Sequence, residues 1–183
     1  MVESPTAQST VSPKGQASYQ IFLSTGEVSG DLQGALLADA LYRQAAARNL
    51  KITLTGLGGD RMAAAGVTLL EQTTAIGSVG LVESVPYILP TLRLQRQVLR
   101  CWRQRSPDLL VMIDYMGPNL GIGSLIRQHF PQVPTAYYIA PQEWVWSLNQ
   151  NNTSQIIRSS DQILAIFPEA ARYYAQNGAK VTW

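Results

Sequence analysis

The stretch IFLSTGEVSGDLQGALLADAL, Ile21 to Leu41, constrains the fold more than any other part of the chain. A β-branched and aromatic run enters a turn holding Gly26 and Gly30, then passes at once into an amphipathic helical pattern. That order builds a strand, a tight loop and a helix N-terminus whose free backbone N–H groups face whatever lies in the crevice. Such a turn suits a phosphate, a carboxylate or a polar sugar. The same glycines also fit a plainer role, serving only the turn and the close packing of the helix.

Downstream, strand-like and helix-like segments alternate. Tyr19–Ser24 reads as a strand and Gln33–Ala47 as its helix. Lys51–Thr55 is a second strand, followed by the glycine-rich GLGGDRM and a short helical turn through Ala65, then a third strand over Val67–Leu70. Leu89–Gln104 is helical, Leu109–Ile113 a buried strand, Gly121–Phe130 a helix and Thr135–Ile139 a strand. Gln155–Ser160 is a short helix, Gln162–Ile166 a strand, Glu169–Asn177 a helix closed by Gly178, and Val181–Trp183 the beginning of another strand. This alternation predicts an α/β domain with a Rossmann-like, mostly parallel sheet and helices on both faces.

Composition narrows the class. At 183 residues with 46% apolar side chains the chain is long enough for one packed domain, and a formal charge of +2 gives no case for a nucleic-acid partner. The single cysteine, Cys101, excludes an intrachain disulfide and points to a reducing compartment. No apolar run reaches the roughly 18 residues that a membrane span needs. Residues 1–18 are rich in serine, threonine, proline and alanine, so a flexible leader is expected there, with the folded domain over 19–183. That leader lacks the apolar core of a secretory signal.

Four segments follow predicted strands directly: TGEVSGD, IDYMGPN, IAPQEWVW and IFPEA. In an open parallel sheet all four fall at the carboxyl edge, where ligands bind. Asp114 follows the apolar run LLVMI, so its backbone is anchored while its carboxylate reaches the rim. It could take a proton from a sugar hydroxyl as a general base, or it could cap its own turn. Asn119 stands where it could cap the next helix. Pro141, Trp144 and Trp146 lie in an aromatic loop after Tyr137 and Tyr138 that suits stacking on a sugar ring or contact with lipid, or forms a core plug. Arg93, Arg96, Arg100 and Arg103 recur at helical spacing beside an apolar arc and follow the apolar VGLVESVPYILPTL. They read as a membrane or phosphate contact, or as an ordinary solvated face.

Other chemistries lose ground. His129 ends a helix away from the rim, and Cys101 has no base or second cysteine nearby in sequence. There is no GxxxxGK[ST], and TGEVSGD does not match GxGxxG. No metal site and no cofactor is expected.

The motifs STGEVSGDLQGA, GLGGDRMAAAG, IGSVGLVESVP, PDLLVMID, YYIAPQEWVW and LAIFP run in one order from about Ile21 to the C-terminus. Together they resemble the N-terminal half of the lipid-A-disaccharide synthases, inverting glycosyltransferases of the two-domain GT-B type. The resemblance implies transfer of 2,3-diacylglucosamine from UDP to 2,3-diacylglucosamine 1-phosphate without a metal. This domain would hold the acylated acceptor, with UDP mainly on a C-terminal domain absent from the chain, so that the chain alone is inactive. Asp114 matches the position of a base, and Gly26, Glu27, Ser29, Gly30 and Asp31 match a substrate-facing first loop. Asn119, Pro141, Trp144 and Trp146 fall on further matching motifs. Val79–Leu92 and the basic helix match a region that touches the inner membrane, which implies a peripheral protein on its cytoplasmic side, with room for an oligomer.

Three departures stand out. After Asp114 the family continues toward Asp-Phe-Asn, whereas here Tyr115, Met116, Gly117 and Pro118 precede Asn119. Ser147 to Asn152 are neutral where the family is basic, and Glu169-Ala170 replaces Phe-Glu. Two alternatives therefore stay open: a divergent transferase with another acceptor, and a non-catalytic module that binds acyl-sugars or a membrane surface.

Overall fold

The computed structural model describes residues 17–73, 88–143, 145 and 150–183. Most of the expected leader lies outside them, but its last two residues already belong to the fold. The Ala17 carbonyl accepts the Lys51 amide at 3.0 Å, and Ser18 opens the first strand, β1 (Ser18–Ser24). Helix α1 (Val28–Ala47) leads to β2 (Lys51–Gly58), the short α2 (Asp60–Ala64) and β3 (Thr68–Gln72). Then come α3 (Ile88–Gln104), β4 (Leu109–Ile113), α4 (Met116–His129) and β5 (Thr135–Tyr138). The chain finishes with α5 (Gln150–Ser159), β6 (Gln162–Leu164), α6 (Pro168–Gln176) and β7 (Val181–Thr182).

The seven strands form one sheet in the order β3-β2-β1-β4-β5-β6-β7, and every pairing is parallel. The order reverses between β1 and β4, where Ser24 pairs with Met112. Because both faces are covered, the central strands read as continuous apolar runs rather than alternating ones. Successive residues still part company. Ile21 and Leu23 of β1 and Val111 and Ile113 of β4 pack with Ala38 of α1 and Met62 of α2. Phe22, Leu110 and Met112 pack on the opposite face with Leu94, Val98 and Trp102 of α3 and Ile122 and Ile126 of α4. Trp102 is 2% exposed and meets Phe22 edge-on at 5.1 Å and Phe130 at 6.1 Å.

Three helices start five residues earlier than the sequence predicts: α1 at Val28 rather than Gln33, α4 at Met116 rather than Gly121, and α5 at Gln150 rather than Gln155. Glycines in the first turns disguise two of these starts. A Cβ on Gly30 would overlap the Thr25 hydroxyl, and one on Gly34 would press into the Met62 sulfur at 2.6 Å. The low helix propensity of glycine is thus accepted in exchange for close packing. Pro118 sits in the first turn of α4, where its missing N–H leaves no helical bond unmade. The early starts carry the N-termini of α1 and α4 right up to the rim.

Candidate functional site

Asp114 leaves β4 with φ of 58°, and Ile139 leaves the neighbouring β5 with φ of 56°. A left-handed conformation at a residue with a Cβ costs about 1–3 kcal/mol and persists only where the surroundings over-determine it. They do so here. The Asp114 amide donates to the Tyr138 carbonyl at 3.0 Å, and the Tyr137 hydroxyl donates to the Asp114 carbonyl at 3.1 Å. The Asn119 side chain donates to the carbonyls of Ile113 at 3.0 Å and Tyr115 at 2.8 Å, and its Oδ1 accepts the Ser24 hydroxyl at 2.8 Å. The turn carrying Asp114 is therefore tied to three strands.

The first loop closes against that turn. Gly26 is buried, and a Cβ there would lie 3.0 Å from ring atoms of both Tyr115 and Pro118. From the first turn of α1, the Ser29 hydroxyl lies 2.8 Å from Asp114 Oδ2 and 2.8 Å from Glu27 Oε1. Glu27, Ser29 and Asp114 thus form one cluster at the reversal of strand order, where a ligand is expected in an open α/β sheet. Among the described residues, the partner of the Asp114 carboxylate is this serine and not the amides of α4. Burial raises Glu27 above the ordinary carboxyl range; the Asp114 charge and carboxyl contact add to this, against the pull of the Ser29 hydrogen bond.

Other expected contacts go elsewhere. Asp31 is 4% exposed, and its carboxylate accepts the amides of Gly59 at 2.8 Å, Met62 at 3.1 Å and Arg61 at 3.1 Å. It caps α2 from a distance, so the structure assigns it to the scaffold and not to a ligand. Gly30 likewise serves packing against Thr25. Asn119 is fully buried and does not cap the N-terminus of α4; its amide is spent on the Asp114 turn. The Pro141 carbonyl accepts the Tyr174 hydroxyl at 2.7 Å and the Glu143 amide at 2.8 Å, which knots the loop after β5 onto α6. Glu143 is 7% exposed with Oε2 unpartnered among the described residues, and its burial raises its pKa against the pull of a hydrogen bond with Asn152. Trp144 and Trp146 lie outside the described residues.

Arg93, Arg96, Arg100 and Arg103 all fall on the exposed side of α3, opposite the buried Leu94, Val98 and Trp102. They do not join the rim cluster. Leu92, the last residue of the apolar stretch VGLVESVPYILPTL, is 41% exposed, and the segment 79–87 before the helix lies outside the described residues. Among the described residues no group of three or more His, Cys, Asp or Glu side chains is placed to hold a metal ion, and no helix is long and apolar enough to cross a membrane. His129 is exposed at the end of α4 and Cys101 half-buried on α3.

Two contributors escape sequence reasoning. Tyr137 reads as part of the aromatic rim loop but is fully buried, with its hydroxyl holding the Asp114 turn. Ser24 reads as the last residue of a strand, yet it satisfies Asn119. The alternation of side chains along β5, which places Tyr137 on the α4 face, is the signal that points to the first of these.

A fully parallel seven-stranded sheet with helices over both faces defines a Rossmann-like domain, the N-terminal half of a GT-B fold. Solved structures share that architecture. A putative UDP-N-acetylglucosamine 2-epimerase from Listeria monocytogenes matches with a TM-score of 0.61 at 11% identity, over 90% of this chain and 43% of that one. The Neisseria meningitidis UDP-GlcNAc 2-epimerase, solved with UDP-GlcNAc bound, gives a TM-score of 0.56 at 9% identity, over 90% of this chain and 45% of its own. The family model for lipid-A-disaccharide synthetase matches residues 21–183, and the chain belongs to that family. It is 53% identical over 164 residues to the lipid-A-disaccharide synthase of Gloeothece citriformis and 55% identical to that of a Synechocystis strain. The Geobacter sulfurreducens protein of the same name is 33% identical. Each match covers 90–91% of this chain, and the chain spans 41–43% of the length of these relatives.

Proposed function

We propose that this domain is the acceptor-binding half of a lipid-A-disaccharide synthase. The whole protein would transfer 2,3-diacylglucosamine from its UDP carrier to 2,3-diacylglucosamine 1-phosphate, with inversion at the anomeric carbon. The observation that carries the reading is the Asp114 carboxylate, held in a strained turn by Asn119 and Tyr137 at the switch point of a chain of this family. As the acceptor hydroxyl oxygen bonds to the anomeric carbon, Asp114 takes its proton, and the carbon–oxygen bond to the diphosphate breaks with its electron pair leaving on UDP. The acyl-sugar would lie along the rim between the first loop and the loop after β5, with Glu27, Ser29 and Pro141 beside it. The UDP contacts belong to the remaining length of the relatives, so the 183-residue chain by itself forms no disaccharide. The α3 arginines support a peripheral position on an anionic membrane surface.

The deciding assay incubates the whole protein with both acylated substrates and identifies product by mass spectrometry. Asp114→Asn is the informative variant, because asparagine tolerates the left-handed turn. It should fold normally and lose activity by about 100-fold or more, the usual worth of a general base. Unchanged activity in a well-folded variant would remove Asp114 from the chemistry.

A further inference from the structure

We propose that Glu27 is the protonated member of a chain, Glu27–Ser29–Asp114, that aims the Asp114 carboxylate as the single base of the site. The inference rests on the reading of Asp114 as the base and says how that base is kept ready.

The geometry sets a proton count. A serine hydroxyl has one hydrogen to give. Its oxygen lies 2.8 Å from an oxygen of each carboxyl group. Were both groups ionised, one of them would face the hydroxyl lone pairs at hydrogen-bond distance with nothing between. One further proton closes the chain: the Glu27 O–H donates to Ser29 Oγ, and the Ser29 O–H donates to Asp114 Oδ2. Every atom in the row then has a partner, and one negative charge sits at the end nearest the switch point. Two like charges so close would otherwise oppose each other, as in any carboxyl pair that shares a site.

The surroundings place the proton on Glu27. Its burial and the Asp114 charge both favour the neutral acid. The neighbours of the two loops are neutral: Tyr115 and Pro118, from the turn into α4, close on the first loop at Gly26, and the Tyr137 hydroxyl of β5 is turned to the Asp114 carbonyl. Among the described residues no Arg, Lys or His forms an ion pair with either carboxyl. Asp114 keeps its other oxygen, Oδ1, for the acceptor hydroxyl. Glu27 touches no reacting atom in this scheme and acts on Asp114 through Ser29, so it is a positioning residue.

Two measurements test it. In the 183-residue chain, carbon-detected NMR follows the Glu27 carboxyl through a pH titration, in the unchanged chain and in Asp114→Asn. Its midpoint should stand above the ordinary glutamate value and fall when the Asp114 charge is removed. In the whole protein, the kcat profile should decline on the alkaline side as Glu27 ionises, and Glu27→Gln, a permanently neutral donor, should lack that decline. Glu27→Ala should run a few-fold to about tenfold below Glu27→Gln, the worth of one lost hydrogen bond between neutral groups. A Glu27 midpoint at the ordinary value would overturn the proposal. So would a Glu27→Gln protein no better than Glu27→Ala with the alkaline decline intact. An active Asp114→Asn protein would sink the base reading instead, and the carboxyl titration, which needs no turnover, would still locate the proton.

Discussion

Asn119 uses its whole amide. Its oxygen takes the Ser24 hydroxyl, and its two N–H groups go to the carbonyls of Ile113 and Tyr115 on either side of Asp114. Truncation to alanine would strand the buried Ser24 hydroxyl and Ile113 carbonyl and leave the Tyr115 carbonyl with only the Tyr137 hydroxyl at 3.4 Å, and unmet hydrogen-bonding groups cost about 1–3 kcal/mol each before relaxation. Asn119→Ala should therefore lower unfolding stability by about 2–4 kcal/mol in urea titration. If Asp114 is the base, the whole protein should also lose kcat more than KM, because that carboxylate drifts while the rest of the rim stands. A stability loss with unchanged kcat would mean that Asp114 holds its place without this amide. Asp31 makes the contrasting case: it is an acid of the first-loop motif whose carboxylate never reaches the rim, because the amides of Gly59, Arg61 and Met62 claim it.

At the scale of elements, α3 is a helix of two faces. Leu94, Val98 and Trp102 recur every fourth residue and bury against the sheet, while Arg93, Arg96, Arg100 and Arg103 stay in water. If those arginines meet an anionic surface, the domain should co-sediment with vesicles containing acidic lipid at low salt and release at high salt. Reversal of Arg93, Arg96 and Arg100 to glutamate should abolish the binding. Retention by the reversed protein would leave the stripe as a solvated face. The elements also show what could be read in the sequence. The central strands were legible, since LLVMI and IFLS are apolar runs long enough for a strand and too short for a helix. The starts of α1 and α4 were not, because their glycines answer to Thr25, Met62 and Tyr115, residues remote in sequence or set by a turn. The rim position of Asp114 followed from strand order alone. The shared hydroxyl of Ser29 did not, since it depends on how closely two loops approach.

At the scale of the whole molecule, one ion pair ties α4 to β5 and to the turn before β6. The Arg127 guanidinium on α4 meets the Asp161 carboxylate before β6 at 2.9 Å, and both Arg127 and Asp161 bond to Thr135 at the start of β5. Burial works to raise Asp161, but the hydrogen bonds of Arg127 and Thr135 outweigh it and hold the carboxyl below its usual value. A depressed carboxyl contributes stability above its unfolded value of 3.8, and that contribution is lost as pH falls through its folded value. The melting temperature of the domain should thus decline on acidification below about pH 5, and Arg127→Ala should flatten part of that decline while lowering the plateau at neutral pH. Equal acid sensitivity in both proteins would assign the decline to other carboxyls.

The strand order also has a consequence for how this chain comes off the ribosome. β1 pairs with β2 soon after both are made, but its other edge waits for β4, with Ile21 opposite Leu109. Until then the nascent half-sheet of β1, β2 and β3 has α1 and α2 over one face, while Phe22 and Leu57 on the other still lack Trp102, Leu110 and Ile122. Nascent chains halted after β3 should therefore recruit a holding chaperone, and chains released through α4 should let it go. Asn119, whose amide holds the Asp114 turn, arrives with the helix that follows β4, so that turn is fixed as the exposed apolar face is covered.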